Sequence, residues 1–287
     1  MFVMPPLAAE RPQTATPRRT VLSDRSLAKW KQRRETPLML SDWDRTLMIH
    51  YEVDPDELQP QIPFPLDLHE GKAYVSLVAF TLRKLRPQAL PAVFQTLMRP
   101  VSEHGFLNVR TYVRVGRDTG IYFLAEWLPN RLAILLGPPM YGLPYRHGAL
   151  DYQHHHETGE LHGRVEPHDE TAPLHYRYDG PPLDDFAPAE RDTLDEFVLE
   201  RYTAFTERGR VRRRFDIWHE PWPQQRIDDL DLIDDRLAQC TGPWHDTAQP
   251  IAAHYSPGVH GVWLGGPKRI RDTHGFSTHP HAEEVAA

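Results

Sequence analysis

Two strands joined by a short turn decide the fold: Asn108-Val-Arg-Thr-Tyr-Val-Arg-Val115, Gly116-Arg-Asp-Thr-Gly120 and Ile121-Tyr-Phe-Leu-Ala-Glu-Trp-Leu128. The first strand alternates with the two-residue period of a β-strand, so one face carries polar and charged side chains. These side chains are Asn108, Arg110, Tyr112 and Arg114. The turn has the length and the glycines of a hairpin loop. The pattern therefore predicts a β-hairpin whose second strand is apolar on both faces, apart from Glu126 and the hydroxyl of Tyr122.

The remainder of the chain adds short strands and few helices. Strand patterns rich in β-branched and aromatic residues occur at 46–53, 73–82, 151–167, 174–178 and 251–264, the last interrupted by a turn at 256–258. Helices are predicted at 24–34, 93–98, 192–206 and 227–239, and 131–136 fits either a strand or a helix that Gly137-Pro138-Pro139 breaks. The 28 prolines favour short strands with many connections. We therefore predict a mainly β (α+β) fold, an antiparallel β-barrel with a few peripheral helices.

Composition narrows the classes of partner. The net charge of −7 provides no field that would attract nucleic acid or an anionic membrane, and we expect neither partner. No apolar run reaches the roughly 18 to 20 residues of a membrane span, and the N-terminus lacks a secretory pattern. The single cysteine, Cys240, excludes an internal disulfide framework and favours a reducing compartment. We expect a cytoplasmic protein.

The chain divides into three parts. Residues 1–40 are expected to form an extended or flexible N-terminal segment that could carry a short helix. Residues 41–267 are expected to form one barrel domain, and residues 268–287 are expected to form a flexible tail. Whether the N-terminal segment contributes to a homo-oligomer is left open.

A series of motifs runs in order along the chain. They are Asp42-Trp43, Leu47-Met-Ile-His-Tyr-Glu-Val-Asp-Pro55, Gly71-Lys-Ala-Tyr-Val-Ser76, Asn108-Val-Arg-Thr-Tyr-Val113, Gly120-Ile-Tyr-Phe123, Leu143-Pro-Tyr-Arg-His147, Glu196-Phe-Val-Leu-Glu-Arg-Tyr202, His219-Glu-Pro-Trp-Pro223 and Tyr255-Ser-Pro-Gly-Val259. Together these motifs resemble the YqjF-like family of uncharacterised bacterial proteins, over about residues 42–264.

For the domain at 41–267 the resemblance implies a fold similar to that of acetoacetate decarboxylase, a single-domain β-barrel or cone with a ligand cavity inside. In that enzyme a lysine in a Pro-Lys-Lys stretch forms a Schiff base. Here the comparable Pro144 is followed by Tyr145 and Arg146, and no lysine lies within several tens of residues, so the resemblance does not carry amine catalysis to this chain. No cofactor is expected.

Arg110 and Tyr112 are the first candidate ligand-binding residues. If their shared strand face lines the cavity, the guanidinium and the phenol would suit a carboxylate or enolate oxygen. The alternative is a solvated strand face with Arg110 paired to an acid. Tyr141, Tyr145 and Arg146 are further candidates, because they occupy the position where the related enzyme holds its nucleophile. They could equally plug a barrel end.

Glu126, Tyr145 and His147 are the candidates for acid–base catalysis. Glu126 stands alone among apolar neighbours, and burial would disfavour its charged form and suit a general acid or base. Pairing of Glu126 with Arg110 or Arg131 is the expected alternative.

No metal site is expected. His154 and His156 share a strand face at a spacing that can chelate a metal, but the sequence fixes no third ligand, and a solvated strand is the preferred interpretation. Cys240 has no nucleophile signature around it.

The sequence thus favours a member of the YqjF-like family of uncharacterised bacterial proteins that binds a small organic acid or carbonyl compound in a barrel cavity, without Schiff-base chemistry. The alternative is a lyase or hydrolase that acts on a small keto or carboxylic acid by acid–base catalysis. A third hypothesis is a structural or partner-binding barrel with a filled interior.

Overall fold

The computed structural model describes residues 21–89 and 99–270. The flexible segment predicted before residue 21, the helix predicted at 93–98 and the tail predicted beyond residue 270 lie outside these ranges. In the described part of the chain, no helix is long and apolar enough to cross a membrane.

The described chain is mainly β, as predicted. Its strands are β1 (Met39–Val53), β2 (Ala73–Pro87), β3 (His104–Val115), β4 (Asp118–Leu128), β5 (Tyr145–His155), β6 (Glu160–Pro167), β7 (Leu174–Asp179), β8 (Thr203–Arg208), β9 (Val211–Trp218), β10 (Gln225–Ile227), β11 (Asp231–Asp234), β12 (Gln249–Leu264) and β13 (Lys268–Arg269). The α-helices are α1 (Val21–Arg33), α2 (Pro55–Leu58), α3 (Arg131–Tyr141) and α4 (Leu194–Leu199), and 3₁₀ helices occupy Gln59–Gln61, Arg99–Val101, Arg236–Thr241 and Pro243–Asp246.

Seven strands form a closed ring of hydrogen-bonded neighbours, in the order β4-β3-β2-β1-β12-β9-β8 and back to β4. A second row, β5-β6-β7-β11, continues from β4. The sheet is mixed, which corrects the prediction of a wholly antiparallel one, because β4 runs parallel to both β5 and β8. Helix α3 lies between β4 and β5 in the chain and returns it in the direction that a parallel pairing needs.

The predicted hairpin is present as β3 and β4. Asn108 lies opposite Glu126, and a bulge between Val109 and Arg110 places Arg110 opposite Phe123. Leu107, Val109 and Val113 face one buried cluster, whereas Phe106 and Tyr112 face another. The period-two alternation of β3 therefore separates two cores, one on each side of the strand.

Two predicted helices are wrong in extent. Of the predicted helix at 192–206 only Leu194–Leu199 is helical, because residues from Thr203 onward pair as β8 with β9. The segment 227–239 forms short strands and a 3₁₀ helix. Asp231 of that segment lies opposite Arg177 of β7, and such a cross-strand charge pair favours a strand in an aspartate-rich stretch of low helix propensity.

The predicted turn at 256–258 is also wrong. The strand β12 continues through it and pairs with β1 on both sides, with Thr46 opposite Ser256 and Trp43 opposite Val259. Gly258 makes this continuation feasible, because its φ is +129° and a Cβ atom there would lie 2.3 Å from the carbonyl oxygen of Trp43.

Helix α1 packs against the ring, although the sequence suggested a loosely held segment. Trp30 is buried and its ring centroid lies 5.6 Å from that of Trp263. Ser23 donates a hydrogen bond to the carbonyl of His219, at 3.2 Å.

Candidate functional site

A cavity of about 380 Å³ lies between the ring of strands and helix α3. Its wall is mostly aromatic and aliphatic, with side chains that include Trp43, Val78, Phe80, Leu82, Phe106, Ile121, Phe123, Leu143, Phe215, Ile217 and Trp222. Several of the rings are stacked, including Phe80 on Phe106 at 5.4 Å and Trp43 on Trp222 at 6.0 Å between centroids. A cavity of this size counts against the third hypothesis from the sequence, a barrel with a filled interior.

Few polar side chains reach this apolar space. They are Thr46, His104, Asn108, Arg110, Glu126, Tyr141 and Tyr145. Arg110 on β3 and Glu126 on β4 can carry charges of opposite sign. Both are nearly inaccessible to solvent, with 6% and 4% of their surfaces exposed.

Among the described residues, Arg110 has no acidic partner. Its Nη2 atom lies 3.3 Å from the carbonyl oxygen of Val198 and 4.0 Å from the sulfur of Met48, and its Nε atom has no hydrogen-bond partner among the described residues. No described carboxylate forms an ion pair with it. A buried cation without a counter-charge is costly, and the strand face carries it into the cavity because Phe106, Asn108 and Arg110 alternate inward.

Glu126 is equally isolated. Its Oε2 atom has no hydrogen-bond partner among the described residues, and burial raises the pKa of this carboxyl group well above its usual value of 4.5. The expected pairing of Glu126 with Arg110 or Arg131 is not formed within the described ranges, and Arg131 is exposed. Glu126 therefore stands in the cavity as a carboxyl group whose environment favours the protonated form.

Helix α3 covers the cavity on one side and brings Tyr141 with it. The helix begins at Arg131 after the cap residue Asn130, whose side chain accepts hydrogen bonds from two backbone amides, and it runs through Pro138 and Pro139 to Tyr141. The expected break at residues 137–139 is thus wrong, because the prolines fall in the last turn and Gly142, at φ +77°, ends the helix.

Tyr145 stands beside Glu126 at the start of β5. The two residues are paired in the parallel ladder, and burial, followed by the neighbouring Glu126, raises the pKa of the Tyr145 phenol well above its usual value. A Cβ atom at Gly137 of α3 would lie 2.3 Å from the Tyr145 ring, so this ring is fixed by close packing against the helix. Burial also raises the pKa of Tyr141 to about 12.

Three predicted site residues lie outside the cavity lining. Tyr112 points to the same side as Arg110, but its hydroxyl is engaged by the carbonyl of Val198 at 2.8 Å and by Ser76 at 2.5 Å. Arg146 alternates to the other face of β5, where its guanidinium lies 5.4 Å from the Trp127 ring centroid. The ring of His147 contacts His168, with 4.0 Å between centroids.

His104, Thr46 and helix α3 also line the cavity, and none of them was predicted to do so from the sequence. Burial lowers the pKa of His104 to about 4, so its imidazole is neutral at pH 7. The alternation that marked Asn108 and Arg110 extends back through Phe106 to His104, and starting the strand earlier would have found it. The role of α3 has no local signal, because an apolar 131–141 segment fits several positions in a β-rich fold.

All five lysines lie in the described part of the chain, and all of them are exposed away from the cavity. Lys72 and Lys84 form ion pairs with Glu52 and Asp42, with nitrogen–oxygen distances of 2.9 Å and 2.7 Å. No lysine amine is therefore in position to react with a ligand in the cavity.

The histidine pair at 154 and 156 does not form a chelate. Both ring nitrogens of His154 are engaged, by the carbonyl of Arg45 at 2.7 Å and by the hydroxyl of Tyr176 at 2.8 Å. Within residues 21–89 and 99–270 no group of three or more potential metal ligands comes together.

Comparisons with known proteins show the family. The model of the DUF2071 family, described as an uncharacterized conserved protein, matches residues 41–260. The chain belongs to the DUF2071 family. This DUF2071 protein is 30% identical over 193 residues to the uncharacterized protein YqjF of Bacillus subtilis (strain 168). The aligned region covers 67% of this chain and 76% of YqjF. The family resemblance inferred from the sequence motifs is confirmed.

Solved structures share the fold of this DUF2071 protein at low identity. An acetoacetate decarboxylase-like enzyme from Sphingomonas wittichii RW1 superposes with a TM-score of 0.53 at 15% identity, over 82% of this chain and 93% of that one. The enduracididine biosynthesis enzyme MppR complexed with pyruvate gives 0.54 at 14% identity, over 83% and 92% of the two chains. At these identities the likeness establishes the fold alone.

Proposed function

We propose that this DUF2071 protein binds a small organic acid in the cavity, with Arg110 holding the anionic group and without Schiff-base chemistry. The observation that carries the proposal is the buried Arg110 guanidinium, which lines the cavity and has no carboxylate partner among the described residues. An anionic ligand would supply the missing counter-charge. The pyruvate complex of the fold neighbour MppR supports the same class of ligand.

The shape of the site also supports binding. A cavity of about 380 Å³ falls in the range of small-molecule sites, which are mostly apolar with a few polar groups that orient the ligand. We further infer that the ring of strands acts as a barrel around this space, as the resemblance implied. The free thiol of Cys240 supports a reducing, cytoplasmic compartment.

A binding experiment tests the proposal. Pyruvate, acetoacetate, benzoate and phenylpyruvate would be titrated by calorimetry into the wild type, Arg110→Met and the control Arg146→Met, whose arginine lies outside the cavity. We expect Arg110→Met to lose on the order of 100-fold in affinity, as truncation of one partner of a buried ion pair does, and the control to retain it. Binding that is indifferent to Arg110, or no binding by any acid, would sink the proposal.

Glu126 favours one alternative, a lyase or hydrolase that uses this carboxyl group as a general acid. Its environment favours the protonated form, and Tyr145 is its neighbour, whereas His147 contacts His168 instead of the cavity. Incubation with acetoacetate or oxaloacetate followed by NMR would detect turnover. Turnover that persists in Glu126→Gln would remove Glu126 from the mechanism.

A further inference from the structure

We propose that the cavity selects carboxylic acids with an aromatic body and an uncharged carbonyl oxygen, and that Glu126 determines this selectivity by donating a hydrogen bond to that oxygen. The inference rests on the proposed function, because Arg110 must hold the carboxylate. To the contact with Arg110 it adds a second polar contact, from Glu126, and it names a class of ligand that is larger than a short keto acid.

Arg110 and Glu126 are placed to engage one molecule at two points. Asn108 lies opposite Glu126, and Arg110 follows Asn108 by two residues on the same face of β3. Arg110 and Glu126 therefore lie on the two neighbouring strands of the hairpin, on either side of the bulge between Val109 and Arg110, and not directly opposite each other. Both side chains line the same cavity and neither is bonded to the other.

The two contacts differ in chemistry. Arg110 presents donors with a positive charge, so it suits the carboxylate. Glu126 forms no ion pair with any described cation, and an ionised carboxylate in this apolar wall would be costly. As a protonated acid it offers one O–H donor, and a ligand carbonyl oxygen is an acceptor that this donor can satisfy. Asn108, whose Oδ1 atom also lacks a partner among the described residues, lies directly beside it.

The wall selects the body of the ligand. Trp43, Phe80, Phe106, Phe123, Phe215 and Trp222 supply six aromatic side chains around the space. Aromatic rings prefer offset-stacked or edge-to-face neighbours, which such a wall provides to a ligand ring. A three-carbon keto acid would leave most of a 380 Å³ cavity without contact, whereas a phenyl-bearing acid would bury its ring there.

A matched set of probes separates the contributions. 4-Oxo-4-phenylbutanoate has the ring, the carbonyl and the carboxylate, 4-phenylbutanoate lacks the carbonyl, butyrophenone lacks the carboxylate, and pyruvate lacks the ring. Calorimetry would measure each probe against the wild type, Arg110→Met, Glu126→Val and Glu126→Gln. Circular dichroism and thermal unfolding would confirm that each variant is folded. A difference infrared spectrum between wild type and Glu126→Gln at pH 7 would report the carbonyl stretch of a protonated Glu126.

For the wild type we expect 4-oxo-4-phenylbutanoate to bind about tenfold more tightly than 4-phenylbutanoate, the worth of one good hydrogen bond, and both to exceed pyruvate. Glu126→Val should bring the ratio of the first two affinities close to one, and Glu126→Gln, which still donates, should restore much of it. If both phenyl acids bind equally and depend on Arg110, this inference is overturned while the proposed function stands. If the acids bind no better to wild type than to Arg110→Met, both fail.

Discussion

Arg110 and Tyr112 donate to one acceptor, the carbonyl oxygen of Val198. The distances are 3.3 Å from Nη2 of Arg110 and 2.8 Å from the Tyr112 hydroxyl. The hydroxyl of Tyr112 also contacts Ser76, which in turn lies 2.6 Å from Nδ1 of His50, and all of these side chains are buried. This hydrogen-bonded chain fixes the end of α4 and, through it, the guanidinium.

Tyr112→Phe should therefore weaken organic-acid binding although Tyr112 does not line the cavity. We expect a loss of about 1 kcal/mol in stability and a few-fold loss in affinity, because Val198 would be held by Arg110 alone. Calorimetry with 4-oxo-4-phenylbutanoate measures the second effect. Tyr178→Phe, which removes a comparable hydroxyl-to-carbonyl bond in β7, is the control and should leave affinity unchanged.

Arg110→Met should stabilise the ligand-free protein while it removes ligand binding. Replacing a buried, uncompensated charge by an apolar side chain of similar length is neutral or favourable by about 1–4 kcal/mol, and Val198 would still accept from Tyr112. Thermal unfolding without ligand should show a midpoint higher by a few degrees. A lower midpoint would show that Arg110 is already compensated.

Gly137→Ala should deform the cavity wall. The added methyl group would lie 2.3 Å from the Tyr145 ring, so the ring or the helix must shift, at a cost of about 1–3 kcal/mol. We expect a lower unfolding midpoint and weaker acid binding. In Tyr145→Ala the same glycine substitution should cost much less, and an undiminished cost there would place the strain elsewhere.

Acid should destabilise the protein through His154. Burial lowers the pKa of His154 to about 4 from its usual value near 6.5, so between these values the unfolded chain binds a proton that the folded protein does not. The free energy of unfolding should fall as the pH falls through this window, by on the order of 3 kcal/mol. In denaturant titrations His154→Gln should show a flatter pH profile, and His155→Gln, at an exposed position, should follow the wild type.

Borohydride reduction in the presence of acetoacetate or pyruvate should leave the intact mass unchanged. The five lysines are exposed away from the cavity, and ion pairs raise the pKa of Lys72 and occupy Lys84. A ligand-dependent adduct on either lysine would restore amine chemistry and contradict the proposed binding mode.

Much of the candidate site followed from the alternation of β3. The period of two placed Asn108, Arg110 and Tyr112 on one face, and the structure brings the first two to the cavity. The same pattern could not show that Tyr112 lies outside the cavity lining, because its hydroxyl donates a hydrogen bond to the carbonyl of Val198, 86 residues away. Nor could it show that Glu126 forms no ion pair with a described arginine, since side-chain packing, and not the spacing of residues in the sequence, sets the direction of each guanidinium.

The errors in the fold have a common cause. The segments 192–206, 227–239 and 251–264 have local patterns that fit a helix or a turn. Residues of each segment pair with a strand distant in sequence, β4, β7 and β1 respectively, and the sequence does not identify these partners. Backbone hydrogen bonds to a neighbouring strand then outweigh a weak local preference.

Helix α1 packs over the two shortest strand pairings of the ring, β9 with β12 and β8 with β4, which have two residue pairs each. Strand β9, which supplies Phe215 and Ile217 to the cavity wall, meets β12 at Trp263 and Leu264, and its hairpin partner β8 meets β4 at Ile121 and Tyr122. In this helix Lys29 forms an ion pair with Asp118 of β4, and Arg33 forms one with Asp216 of β9. Trp30, between the two in sequence, is buried. Because α1 connects β4 to β9 across β8, the shortest strand pairings of the ring are held by side chains from outside the ring as well as by backbone hydrogen bonds.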